Sequence, residues 1–394
     1  MNFSREGSTL PAPALEQHEH SARAAASIRS RIEEQGGWIP FDAFMDLALY
    51  APGLGYYSAG GVKLGIAGDF TTAPELSDLF SQCVANQLAQ VLAVTGGSIL
   101  ELGAGTGRMA ATILQALAEQ DALPERYEIL EVSADLRDRQ RQRLRALPPQ
   151  LSERVSWLER LPERPMSGVV LANEVLDALP CERFELRDGE VFSLGVALGA
   201  DGSFIERARP ADEPLASAVH AIGETLPAAL PSPYRSELCS RVAPWIAGTG
   251  ACLERGAMLL FDYGLPRTYY YHPQREGGTL RCHFRQSAHD DPLINVGIQD
   301  ITAWVDFTRV AEAADAAGLR VGGFTTQAAF LLGTGIEARL SRATNVVTRA
   351  RLASEARQLM MPGEMGEIFK AMALTRGLEG SLSGFATQDL RHLL

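Results

Sequence analysis

The chain is poor in cysteine, and the cysteines it has fall at no diagnostic spacing. Cys83, Cys181, Cys239, Cys252 and Cys282 are odd in number and form no C-x-x-C pair. That pattern excludes a zinc ribbon and a disulfide framework and suits a reducing compartment. The seven histidines are scattered, so no metal is expected. No apolar run is long enough to span a bilayer. A surplus of basic charge is also missing. With a formal net charge of −12, the chain lacks the clustered cations that phosphate neutralisation needs, so no nucleic-acid partner is expected. The first 20 residues have no apolar signal core and carry Glu6, Glu16 and Glu19; they match neither a signal peptide nor a transit peptide and are expected to be a disordered tail. There is no internal repeat.

What remains is a globular composition, 46% hydrophobic and 21% charged. At 394 residues the chain exceeds one typical domain, which predicts a core with a sizeable insertion or second lobe. An acidic surface suits cationic substrates better than anionic ones, although it also aids solubility.

The most informative stretch is Ile99-Leu100-Glu101-Leu102-Gly103-Ala104-Gly105-Thr106-Gly107-Arg108. It predicts a buried strand, a glycine-rich turn and a helix from Met109. The carboxyl end of such a strand is where open α/β sheets bind ligands. A dinucleotide fingerprint would need a third glycine where Arg108 stands. The run is instead E-x-G-x-G-x-G, which resembles motif I of class I methyltransferases and implies S-adenosylmethionine as cofactor. Glu101, Gly103, Gly105 and Gly107 are the candidate cofactor residues of this turn. Glu131, at the end of the next predicted strand (Tyr127 to Val132), is the candidate ribose acceptor, with Glu128 as its rival.

The expected fold class is α/β, a Rossmann-like, mostly parallel sheet with helices on both faces, a helical amino-terminal region and an inserted α+β lobe. The predicted order is a tail (1–20), the helical region (21–95), the first part of the core (96–182), the lobe (183–250), the second part of the core (251–335) and a carboxyl-terminal helical region (336–394). The small-apolar run Gly168 to Ala172 reads as a central parallel strand. It leads into Asn173-Glu174-Val175-Leu176-Asp177, polar residues whose partners in such a fold are substrate or cofactor. Asp188-Gly189 and Asp201-Gly202 mark hairpins in the lobe. Another buried strand ends in Asp262-Tyr263, and the segment from Leu319 to Leu332 is expected to supply the last strand pair. Thr72-x-x-Glu75 has capping-box spacing, which leaves Glu75 open as helix cap or ligand contact. Trp157 is placed either beside the cofactor's adenine or in the core.

Taken together, Gly68-Asp69-Phe70-Thr71 with Pro74-Glu75, the Glu101 to Gly107 turn, Asn173-Glu174-x-x-Asp177, Phe261-Asp262-Tyr263-Gly264, Gly278-Thr279-Leu280-Arg281-Cys282 and Met365-Gly366-Glu367-x-Phe369-Lys370 resemble the MidA family of S-adenosylmethionine-dependent methyltransferases. The resemblance runs from about Trp38 to Gly377, with Thr72-Ala73 a minor departure. Its mitochondrial members modify arginine in a complex I subunit, so the resemblance implies a protein client presenting an arginine, with a homodimer as a further option. Location would be cytoplasmic in a bacterium and the mitochondrial matrix in a eukaryote. The catalytic candidates are Asn173, Glu174 and Asp177, with Asn173 also near the cofactor. The two acids would fork a guanidinium whose pKa lies above about 12; helix capping is their structural alternative. Asp69, Glu75, Asp262, Tyr263 and Arg281 are the substrate-binding candidates. The competing functional classes are a methyltransferase acting on a small molecule or another side chain, and a non-catalytic assembly factor built on this fold.

Overall fold

The computed structural model describes residues 10–60, 71–342 and 344–394. Strand β1 (Trp38–Pro40) precedes the core, and β2 (Ser98–Leu102), β3 (Tyr127–Leu130), β4 (Val155–Leu158) and β5 (Met166–Asn173) begin it. Next come β6 (Glu182–Arg187), β7 (Glu190–Leu198), β8 (Phe204–Pro210) and β9 (Tyr234–Leu238). The long β10 (Leu253–Leu265) returns to the core, followed by β11 (Arg281–Phe284), β12 (Ser287–His289), β13 (Asp300–Thr302), β14 (Val305–Asp306), β15 (Arg320–Thr326) and β16 (Phe369–Arg376).

The central sheet has the order β15-β16-β10-β5-β2-β3-β4, with β14 continuing beside β10. From β10 to β4 every pairing is parallel, while β16 runs antiparallel between β10 and β15. Its strands are apolar on both sides because successive side chains point to opposite faces and both faces are covered. Val169, Leu171, Leu259 and Phe261 enter one core; Val170, Ala172, Met258 and Leu260 enter the other. The first is covered by α4 (Asp78–Thr95) and α5 (Arg108–Ala118), the second by the helices Val242–Ala251 and Phe307–Ala316.

Several predicted boundaries move. Residues 10–20 are ordered: α1 (Leu15–Glu34) begins six residues ahead of the predicted Ser21, and Arg285 donates to the Ala12 carbonyl and to Gln17 Oε1 (2.6 Å). A contact from 268 residues away is invisible to local periodicity. The amino-terminal region does not stand apart from the lobe. β1 pairs with β7 in a sheet ordered β1-β7-β6-β9, with β8 on β7, and α1 and α2 (Phe41–Tyr50) pack on it through Ile28, Ile32 and Phe44. The last part of the expected lobe is β9 followed by the helix Val242–Ala251, and that helix packs on the core sheet. Likewise, Leu319 to Leu332 forms one strand and a helix, Gln327–Gly333, and the missing partner strand is β16, inside the region expected to be helical. Ala371, Met372, Ala373 and Leu374 are all buried, so β16 shows none of the alternation that marks a half-buried strand. Among the described residues no helix is long and apolar enough to cross a membrane.

The parallel strands β2, β5 and β10 enter the sheet side by side, with Gly168 in register between Ser98 and Gly256. Gly168 has φ 128°, and a Cβ there would lie 2.0 Å from the Ser98 carbonyl oxygen. Backbone cannot yield as a flexible side chain would. Gly168→Ala is therefore expected to cost about 1–3 kcal/mol, the range for a residue forced into a sparsely populated conformation, read as a fall in denaturation midpoint. A midpoint equal to that of the unmodified protein would show that the strands enter with more room than this.

Candidate active site

The carboxyl ends of β2, β3 and β5 open on a cavity of about 440 Å³. Its glycine turn takes the form the spacing predicts. Gly103, Gly105 and Gly107 have φ 67°, 53° and 78°, the left-handed region that residues with a Cβ enter at a cost. Gly103 and Gly105 line the cavity. Gly107 instead caps α5, and its Cα faces α6 (Ala134–Arg145), where a Cβ would meet Gln140 at 3.2 Å.

Two acids belong to the same half of the site. Glu101 lines the cavity and is almost fully buried. Its Oε2 accepts a hydrogen bond from the Tyr127 hydroxyl (2.8 Å), yet burial pushes its pKa up to about 7. Glu131, just past β3, also lines the cavity; it accepts from the Ser133 N–H (2.9 Å) and from Gln140 Nε2 (3.0 Å). Burial raises its pKa as well. Gln140 is the hub of this corner, because Nε2 also reaches the Gly105 carbonyl (2.9 Å) and Oε1 accepts from Trp157 Nε1 (3.0 Å). Trp157 is thereby held behind Gln140 and does not line the cavity, and neither does Glu128.

The other half is built on the turn after β5. Glu174 adopts φ 52° and donates its N–H to the Phe261 carbonyl (2.8 Å). Asn173 Nδ2 donates to Glu174 Oε1 (3.2 Å), while Asn173 Oδ1 is buried without a partner among the described residues. Both residues line the cavity. Asp177 and Asp262 stand behind it. Asp262 Oδ2 accepts from the N–H groups of Leu176 (3.0 Å) and Asp177 (3.3 Å), and its Oδ1 accepts from Tyr263 N–H (2.9 Å). Asp177 Oδ2 accepts from the Tyr263 hydroxyl (2.5 Å). The substrate-binding expectation for Asp262 and Tyr263 is therefore revised: burial turns both toward the turn they support. Burial also raises the pKa of all three acids, Glu174 to about 8 and Asp177 to about 6, with Asp177 a further cause at Glu174 and Asp262.

The remaining candidates separate clearly. Glu75 does not complete a capping box: no side chain caps the short helix α3 (Ala73–Leu76). Its carboxylate lines the cavity and accepts from the Thr106 hydroxyl (2.5 Å). Arg281 begins β11, the middle strand of the small β12-β11-β13 sheet, where its side chain is half-exposed, pairs with Asp290 and does not line the cavity. Asp69 lies outside the described residues.

Sequence reasoning missed an aromatic wall. Tyr50, at the end of α2, and Tyr57 line the cavity, their rings stacked with centroids 5.5 Å apart. The Tyr50 hydroxyl donates to the Ala178 carbonyl and that of Tyr57 to Asp300 Oδ1, both at 2.9 Å. The clustered tyrosines from Tyr50 to Tyr57 were the available signal, but nothing local indicated where they point. Trp245, on the helix wrongly assigned to the lobe, lines the same cavity.

The raised pKa values carry a sign. A carboxyl whose folded pKa exceeds its unfolded value of about 4.3 contributes stability that is complete below the unfolded pKa and lost as pH rises through the folded one. For Glu174 the folded value is about 8. The melting temperature of the ligand-free protein is thus expected to fall between about pH 5 and pH 9, and Glu174→Gln to flatten the upper part of that fall. An unchanged profile in the variant would show that Glu174 ionises freely.

The cavity suits a nucleoside-containing ligand: apolar walls from Leu102, Met109, Leu130 and Leu136, Glu131 at the end of β3, and the unpartnered Asn173 oxygen. Comparison with known proteins agrees. Residues 83–325 match a family described as S-adenosyl-L-methionine-dependent methyltransferases. A crystal structure of a superfamily member from Burkholderia thailandensis bound to S-adenosyl-homocysteine is 40% identical, with a TM-score of 0.93 over 98% of this chain and 100% of that one. A Drosophila melanogaster protein named protein arginine methyltransferase NDUFAF7 homolog, mitochondrial, is 30% identical over 96% of this chain and 92% of its own length. The human protein arginine methyltransferase NDUFAF7, mitochondrial, is 27% identical over 86% of this chain and 80% of its own length. With the class I fold, the glycine turn and these matches in agreement, the chain belongs to this family of methyltransferases and uses S-adenosylmethionine as its cofactor.

Proposed function

We propose that the chain methylates an arginine side chain of a protein client. The observation that carries this reading is the cluster of carboxyls gathered at the turn after β5. Asp177 and Asp262 are buried and Glu174 is half-buried, and among the described residues none of them has an ion pair; desolvation holds their pKa values up, with the Asp177 charge a further cause at Glu174 and Asp262. A buried carboxyl cluster of this kind becomes favourable to ionise when a cation arrives. Tyr50 and Tyr57 add ring surface to the cavity that Glu174 lines, which suits a flat, delocalised guanidinium better than a compact ammonium. The names of the Drosophila and human relatives point to the same substrate class.

The bound cofactor supplies an electrophilic methyl group. The chain's residues orient and deprotonate the nucleophile. Glu174 pairs with the guanidinium and takes the proton that leaves the attacking nitrogen, so the methylated product keeps its positive charge. Asn173 offers its unpartnered oxygen between the two ligands. Asp177 acts as a positioning residue through Tyr263, and Asp262 holds the turn through its two N–H contacts. Most of the rate enhancement then comes from orientation. The lobe and the amino-terminal helices, which carry Tyr50, present the client.

Glu174→Gln is expected to lower single-turnover methyl transfer by about 10²-fold or more, the usual worth of a positioned base, while S-adenosyl-homocysteine binding persists. Asp177→Asn keeps an acceptor for Tyr263 and should lose much less. A larger loss in Asp177→Asn than in Glu174→Gln would exchange the two roles. The substrate class is tested with methyl-labelled S-adenosylmethionine and a proteome extract from cells lacking the protein: label should map to arginine, and label confined to other side chains or to small molecules would overturn the reading.

A further inference from the structure

Glu75 is the cavity acid to which the arginine reading gives no task. Its spacing from Thr72 predicts a helix cap, yet the cap is not made and the carboxylate turns into the cavity over the glycine turn. There it accepts from Thr106, between Gly105 and Gly107. Among the described residues, the arginine beside it is committed elsewhere: Arg108 donates to the Glu75 carbonyl and pairs with Asp78 at 3.0 Å. Meanwhile the Ala73 N–H, at the start of the same short helix, bonds the Glu174 carboxylate. α3 thus lies between the turn that holds the cofactor and the acid at the end of β5.

We propose that Glu75 binds the α-ammonium group of the cofactor's methionine portion and that α3 covers that end of the site. The strand order sets the direction. β2 lies between β3 and β5, so a ligand with its ribose at Glu131, beyond β3, extends over the glycine turn toward Asn173, beyond β5. Its amino-acid end is a zwitterion. The first N–H groups of the 11-residue helix α5 suit the carboxylate, and Glu75, held at Thr106, suits the ammonium through a charge-assisted hydrogen bond. This assignment rests on the cofactor alone and stands whether or not arginine is the substrate.

The test uses ligands that differ only at that end. S-adenosyl-homocysteine carries the amino-acid portion, and 5′-methylthioadenosine lacks it. By calorimetric titration Glu75→Gln, which retains an acceptor for Thr106, should weaken S-adenosyl-homocysteine by about tenfold or more and leave 5′-methylthioadenosine unchanged. Equal weakening of both ligands would show that Glu75 merely props the turn, and no weakening of either would also overturn the proposal. Des-amino S-adenosyl-homocysteine supplies a second measurement that needs no variant: the unmodified protein should bind it about tenfold or more weakly than the parent ligand. Undiminished binding of the des-amino ligand would refute the assignment even if Glu75→Gln failed to fold.

Discussion

The site depends on how the carboxylate of Asp262 is used. It lies near the end of β10, almost fully buried, and three backbone N–H groups converge on it, two from the turn after β5 and one from Tyr263. The N–H groups of Leu176 and Asp177 belong to a chain that has left the sheet, so without Asp262 these two would be buried and unpaired at a cost of about 1–3 kcal/mol each. The same contact determines where Glu174 stands. Its left-handed φ of 52° is a conformation a glutamate adopts only when its surroundings impose it. The strained backbone and the acid at the cavity wall are thus consequences of one buried acceptor on the neighbouring strand.

The parallel sheet supplies the frame for that contact. β5 and β10 stay in register from Gly168 and Gly256 to Asn173 and Phe261, so the two polar strand ends emerge together. Before those ends the two apolar cores that clamp the sheet take only apolar side chains from β5 and β10, Val169 to Ala172 and Ala257 to Phe261. Where strands leave the sheet, acids accumulate: Glu101 within β2, Glu131 after β3, Glu174 after β5 and Asp262 on β10. Glu101, Glu131 and Asp262 are buried and Glu174 is half-buried, and desolvation raises every one of their pKa values. A cationic cofactor relieves that penalty, and under the proposed function a cationic side chain would relieve it as well.

The amino-terminal elements make the assembly more than a cofactor-binding sheet. Tyr50 ends a helix that packs under the lobe sheet, and its hydroxyl reaches the Ala178 carbonyl on the turn that carries Glu174. Tyr57 is tied to Asp300 on β13. The elements that would meet a client under the proposed function are therefore bonded directly to the turn that carries Glu174. Helix α3 plays the matching part toward the glycine turn, through Thr106 and Arg108.

Local sequence determined the features whose cause is local. Three glycines at alternate positions demanded left-handed backbone after β2, uninterrupted apolar runs marked β5 and β10 as buried, and Asp188-Gly189 and Asp201-Gly202 marked the hairpins of the lobe. From these came the sheet, the cofactor and most of the cavity acids. Tertiary structure alone decided whatever depends on a distant partner. β16 is a strand because two strands flank it, and its unbroken burial erased the alternation that would have shown it. Asp177 and Asp262 turned from ligand candidates into supports because Tyr263 and the N–H groups of the turn reach them first. Glu75 abandoned a cap for Thr106, 31 residues away. Tyr50 and Tyr57 became a cavity wall only when the lobe folded against the core, since the direction of a side chain beyond its own helix or turn is set by packing that no window of local sequence contains.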